Sequence, residues 1–82
     1  MIKHKIIKDY QTLSLEEQET MISFDPIGKR WHLFTDYPPH AELWNQLVDN
    51  DRPTRRGYRD GKLAMLEGDI SGMHATFFKD QK

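Results

Sequence analysis

Glu19-Thr-Met-Ile-Ser-Phe-Asp-Pro-Ile-Gly-Lys-Arg-Trp-His-Leu-Phe-Thr-Asp-Tyr-Pro-Pro-His-Ala-Glu-Leu-Trp-Asn-Gln-Leu-Val48 decides the fold of this chain. Ile22 and Phe24 alternate with Met21 and Ser23, the period-two pattern of a strand. Asp25-Pro-Ile-Gly-Lys29 follows as a turn. Pro26 presets its own φ, Gly28 is expected to supply a positive φ, and Asp25 can bond the backbone ahead of it. Pairing Asp25 with Arg30 sets Phe24 opposite Trp31 and Ile22 opposite Leu33. All four then share one face, which is the register a buried face selects. His32 and Phe34 fall on the other face.

Thr35-Asp-Tyr-Pro-Pro39 reads as the start of a helix. Thr35 or Asp36 stands near the N-cap, and the prolines occupy the first turn, where a missing N–H costs nothing. His40, Ala41, Leu43, Trp44, Leu47 and Val48 recur at helical spacing and make one apolar face. Asn50 is expected to stop the helix in a left-handed conformation, and Pro53 blocks any continuation.

Beyond the helix the pattern returns to strands. Asp60-Gly61 is a two-residue hairpin signal that pairs Arg59 with Lys62, Tyr58 with Leu63 and Gly57 with Ala64. Ser71-Gly72 is a weaker second turn, pairing Ile70 with Met73, Gly68 with Ala75 and Leu66 with Phe77. This register puts Ala64, Leu66, Ile70, Met73, Ala75 and Phe77 against the helix. It leaves Tyr58, Leu63, Met65 and Phe78 on the opposite face, beside Arg56, His74 and Thr76. The expected order is β-β-α-β-β-β: an α+β domain over residues 14–82, with one helix on a small antiparallel sheet.

Residues 1–13 form an N-terminal arm, open to two readings. Ile2, His4 and Ile6 alternate with Lys3 and Lys5 as in an edge strand, and a flexible arm fits equally. Ser14-Leu-Glu-Glu17 has capping-box spacing and predicts a short helical turn before the first strand. The arm, through Ile2, Ile6 and Ile7, or a second copy of the chain would cover the outer apolar face.

The chain has 82 residues, 37% hydrophobic and 30% charged, with no cysteine. A single domain of this size lies near the lower limit for a self-sufficient core, and without disulfides its stability must come from packing. Met1 to Lys8 has no apolar run behind its charges and is not expected to be a signal peptide, and no apolar run approaches membrane length, so the cytoplasm is the expected location. Net charge is −1, yet the charges are segregated. Asp9 to Asp25 holds five acids and no Lys or Arg, and Trp31 to Asp51 holds four acids and again no Lys or Arg. Arg52 to Lys62 reverses this, with Arg52, Arg55, Arg56, Arg59 and Lys62 against Asp60 alone.

Catalytic and metal chemistry find little support. The four histidines show no H-x-H or H-x-x-x-H pair, and no cysteine assists them, so no metal site is expected. Asp25 and Asp36 have turn and cap duties, the serines lie in a cap, a strand and a turn, and no Gly-rich loop opens a helix to hold phosphate. Neither an enzyme nor a cofactor is expected. The basic hairpin interleaves arginines with Tyr58, which suits phosphate contacts plus base stacking. The competing reading is an edge strand protected by charge. Conversely, Glu16, Glu17, Glu19, Asp25, Glu42 and Asp49 on one face would suit the basic nucleic-acid channel of a partner.

Glu16-Glu-Gln-Glu-Thr20, Ile22-Ser-Phe-Asp25, Trp31-His-Leu-Phe-Thr35 and the Pro39 to Leu47 helix together carry a resemblance. Over residues 14–47 the chain resembles a group of small, mostly uncharacterised proteins of Gram-positive bacteria, their phages and their mobile elements. The shared residues determine fold rather than chemistry, so no functional residue is carried over. The resemblance implies an accessory protein of a phage or mobile element. Proteins of that kind often bind and modulate host machinery, including as inhibitors of CRISPR or restriction nucleases. The expected function is therefore non-enzymatic binding of a host protein, with Arg55, Arg56, Tyr58, Arg59, Leu63, Met65 and Phe78 as the contact surface. The alternatives are weak nucleic-acid binding by the hairpin at 52–62 and self-association, for instance as a homodimer.

Overall fold

The computed structural model describes residues 2–71. Its elements are β1 (His4–Ile7), a single 3-10 turn at Leu15–Glu17, β2 (Thr20–Asp25), β3 (Arg30–Thr35), α1 (Pro38–Trp44), β4 (Thr54–Arg59) and β5 (Lys62–Ser71). The strands form one mixed sheet in the order β1-β4-β5-β3-β2, with α1 packed on β5 and β3. The α+β class with one helix on a small sheet is as expected. The order differs by a strand at the N-terminus, and β1 makes the sheet mixed by running parallel to β4. A parallel pair needs a long crossover, and the β2–β3–α1 segment between the two strands supplies it.

The β2–β3 hairpin has the expected register, with Asp25 opposite Arg30, Phe24 opposite Trp31 and Ile22 opposite Leu33. The Phe24 and Trp31 rings meet at 4.7 Å between centroids. In the turn, Asp25 Oδ1 accepts the Ile27 N–H at 3.0 Å. The positive φ falls on Lys29, at 53°, and not on Gly28. Asp60 and Gly61 both have positive φ, 53° and 77°, as a two-residue hairpin turn that follows the strand twist requires.

The helix is shorter than its apolar periodicity suggests. It ends at Trp44, and a looser turn in which Leu47 and Val48 both donate to the Trp44 carbonyl returns Val48 to the core. Asn50 does not stop it, since Lys29 and Asp60 are the non-glycine residues with positive φ among those described. Tyr37 is the N-cap. The buried Thr35 hydroxyl accepts the Tyr37 N–H at 3.0 Å, while the Asp36 carboxylate turns back to accept the Glu19 N–H at 2.6 Å. Thr35 also donates to the Glu19 carbonyl. Its single proton being used there, Thr20 must donate to Thr35 and His40 Nδ1 to Thr20, a proton order that fixes helix to sheet.

Leu33, Ala41, Trp44, Val48, Leu63 and Leu66 form the core between helix and sheet, with Ile22, Trp31, Leu43, Leu47, Tyr58 and Ile70 packed around them. Gly68 permits this packing. A β-carbon there would stand 3.1 Å from Val48 and 3.4 Å from Thr54, so any other residue would push the post-helical turn back from β5 by a few tenths of an ångström.

One irregularity changes the faces of the second hairpin. Tyr58 pairs with Leu63 as expected, but Gly57 pairs with Met65, leaving Ala64 as an extra residue in a β-bulge. The expected pairing of Gly57 with Ala64 is therefore corrected. A bulge reverses the alternation, so Leu63 and Leu66 both reach the helix side and Tyr58 joins them. The expected turn at Ser71-Gly72 and the strand carrying Met73, His74, Ala75, Thr76, Phe77 and Phe78 lie outside the described residues. Leu66 is already flanked by Thr35 of β3 and Arg56 of β4, so the pairing expected for it after that turn is not available.

Candidate functional site

The bulge divides the contact surface expected from the sequence. Arg55 lies on the sheet face away from the helix, opposite Glu67. Arg56 lies on the helix side, where it donates to Asn45 Oδ1 at 2.7 Å and to Thr54 Oγ1 at 3.1 Å. Tyr58 is half-buried against the core, and Leu63 and Met65 are buried. Arg59 is exposed near the turn, and Phe78 lies outside the described residues. The six of them that the structure describes do not form one face.

The N-terminal arm accounts for part of the outer face, where half-buried Ile7 stands opposite Gly57, but not through its other isoleucines. Ile2 and Ile6 are exposed. Tyr10 does the covering: its N–H donates to the Tyr58 carbonyl at 2.9 Å, and its ring lies where a Gly57 β-carbon would come within 2.8 Å. From there the Tyr10 hydroxyl reaches Asp36 Oδ2 at 3.5 Å, beyond the row occupied by Met65. Burial raises the Tyr10 pKa, the nearby Asp36 carboxylate adds to the rise, and Arg55 opposes it.

Beside Tyr10 the outer face carries a ladder of alternating charge. Arg52 meets Asp69, Asp69 meets His32, His32 meets Glu67, and Glu67 meets Arg55. His32 Nδ1 stands 2.7 Å from Asp69 Oδ1 and Nε2 stands 2.9 Å from Glu67 Oε2. A carboxylate only accepts, so both ring nitrogens donate and the ladder holds His32 as an imidazolium. Burial alone would lower the His32 pKa, but the hydrogen bonds to Asp69 and Glu67 outweigh it and raise it above the ordinary 6.5. Burial likewise pushes Glu67 and Asp69 upward, yet His32 together with Arg55 or Arg52 brings both below their ordinary values.

The carboxylates grip opposite ends of one imidazole and so do not converge on a point where a cation could sit. Among the described residues no group of three His, Asp or Glu side chains is arranged to hold a metal, and no cavity is enclosed. The ladder was only partly legible in the sequence. The alternation of β3 places His32 on this face but does not name its partners, for which the Glu67-x-Asp69 alternation opposite it is the available signal.

The most exposed apolar side chains stand at the opposite end of the sheet, although Ile2 and Ile6 are exposed at the β1 edge as well. Ile27 is 94% exposed, Leu15 75%, Met21 59% and Phe24 37%. Leu15 and Ile27 flank β2 in sequence, while Met21 and Phe24 project from its opposite faces; β2 is an edge strand, and among the described residues no strand lies along its outer side. Alternate N–H and C=O groups of an edge strand point away from the sheet and remain open to pairing. The four acids Glu16, Glu17, Glu19 and Asp25 flank this edge, with Lys29 as the one base of residues 14–29.

No protein-family model, no curated protein and no solved structure matches this chain. Among the described residues no helix is long and apolar enough to cross a membrane.

Proposed function

We propose that this chain is a small binding protein, without catalytic chemistry of its own, that engages a protein of its host in the cytoplasm through the β2 end of the sheet. The observation that carries the reading is the exposure of Leu15, Met21, Phe24 and Ile27, within one edge strand or next to it in sequence, while the core buries its apolar side chains almost completely. Single exposed apolar residues are ordinary, whereas a group of them rimmed by charge is typical of interaction sites. The resemblance to small proteins of phages and mobile elements spans residues 14–47, the same segment, and favours host machinery, including nucleic-acid-handling enzymes, as the target. The contact surface accordingly moves from the basic hairpin to β2.

Nucleic-acid binding is the weaker reading. Arg52 and Arg55 are paired with Asp69 and Glu67, and Arg56 is hydrogen-bonded to Asn45 and Thr54, leaving Arg59 and Lys62 near the turn with no ion pair among the described residues. Two such cations would give only a shallow salt dependence, since each neutralised phosphate adds about 0.9 to the slope.

Affinity capture from host extract, treated with nuclease, tests the proposal. One specific protein should be recovered with the wild-type chain and lost with the Leu15→Asp, Ile27→Asp double variant. Recovery of no protein above a control domain, or equal recovery with the variant, overturns it.

A further inference from the structure

We infer that β2 docks an extended segment of the partner as a sixth strand, and that this segment alternates basic with apolar residues. The inference rests on the binding reading above and names its mode and chemistry. β2 is six residues long, close to the usual strand length, and contains no Pro, Lys or Arg. No register shift interrupts its pairing with β3, so its outer edge follows an unbroken ladder. These are the features by which a sheet accepts an added strand.

The two faces of β2 dictate what the added strand carries. Thr20, Ile22 and Phe24 face the helix side, where Ile22 packs on the core and Phe24 on Trp31. A strand laid beside them extends this apolar row and needs apolar side chains at alternate positions. On the other face stand Met21, Ser23 and Asp25, and the alternation places Glu19 in line with them. Acids thus stand at both ends of the outer row. Lysine or arginine at the intervening positions of the partner would complement Glu19 and Asp25 and lay its aliphatic stem along Met21.

A second copy of the chain fits this edge poorly. An antiparallel copy centred on Ile22 would set Asp25 of each chain against Glu19 of the other, with like charges directly across the seam. Shifting the centre to Ser23 replaces that clash with Met21 against Asp25, pairing an apolar side chain with a carboxylate. Neither register offers a base to meet the acids.

The test titrates the full-length protein with an extended peptide of alternating lysine and valine, roughly six to eight residues long. A peptide of alternating glutamate and valine serves as control. The lysine peptide should bind at low salt and weaken as salt rises, and the glutamate peptide should not bind. Met21→Lys puts a cation on the exposed edge without touching the core and should weaken binding about tenfold or more. Ile6→Lys, on the opposite edge, should leave it unchanged. No binding of the lysine peptide, equal binding by the Met21→Lys variant, or sedimentation showing a dimer that excludes the peptide each overturns the inference. The binding reading is tested separately: a partner captured from extract equally well by wild type and Met21→Lys removes strand addition and leaves a binding protein.

Discussion

The sheet has two edges, and they are built in opposite ways. At β1, Lys3, Lys5 and Lys8 line the outer strand and its exit, and His4 is tied down by Thr54. Lysines on an edge strand deter a second strand from pairing, because adding one would crowd or bury their charge. At β2 there is no lysine within the strand, and apolar side chains project from its rim. The contrast shows that an exposed edge is not an oversight of a small fold. One edge carries lysines beside its exposed Ile2 and Ile6, whereas the other has no lysine within the strand and, among the described residues, no strand along its outer side.

Both edges rest on the same core, so the largest perturbation should affect them together. Leu33→Ala removes a fully buried side chain beneath α1 and should cost about 2–5 kcal/mol in a denaturant titration. In a domain this small, amide protection at β1 and β2 should fall in parallel. Independent loss would divide the sheet into separately stable halves.

Gly57→Val should discriminate between the edges. Its new side chain collides with the Tyr10 ring, which must leave the outer face, at a cost of about 1–3 kcal/mol. Protection at β1 should fall more than at β2, because Tyr10 ties the arm to β4. Asp36→Ala should act on both leads at once. It removes the acceptor of the Glu19 N–H ahead of β2 and of the Tyr10 hydroxyl beyond β1, costing about 1–3 kcal/mol for the stranded donors.

The smallest effect belongs to the charge ladder between the edges. His32 has a raised pKa when folded, so its contribution is fully present below the ordinary 6.5 and is lost as pH rises through the folded value. Glu67 and Asp69 have lowered pKa values, so theirs is present above the ordinary 4.5 and 3.8 and is lost as pH falls through the folded values. Stability from the ladder should therefore be flat between 4.5 and 6.5 and decline on either side. His32 is half exposed, which limits the effect to under about 1 kcal/mol. Thermal melts of wild type and His32→Ala should converge above the folded pKa of His32 and separate below it.

Local rules made much of this fold legible. The β2–β3 register follows from matching Ile22 and Phe24 to Leu33 and Trp31 across a turn of known chemistry, and the Asp60-Gly61 turn adopts the backbone those residues favour. What escaped were tertiary effects. The bulge at Ala64 is invisible in a run of apolar residues, because Leu63, Ala64, Met65 and Leu66 look alike on either face. That one extra residue carried Tyr58 and Leu63 into the core and dissolved the expected contact surface. The edge position of β2 depended on strand order, which no local pattern encodes, since β5 enters between β4 and β3. The sequence pattern therefore predicts burial for Phe24 together with Ile22, when only Ile22 of the β2 side chains packs on the helix-side core.

Residue-resolved hydrogen exchange tests the difference between the edges most directly. Outward amides of Thr20–Asp25 and of His4–Ile7 should both exchange rapidly in the free protein. On addition of the alternating lysine–valine peptide, protection should rise along Thr20–Asp25 and stay unchanged along His4–Ile7. Protection that rises equally at both strands, or at His4–Ile7 alone, would contradict the account.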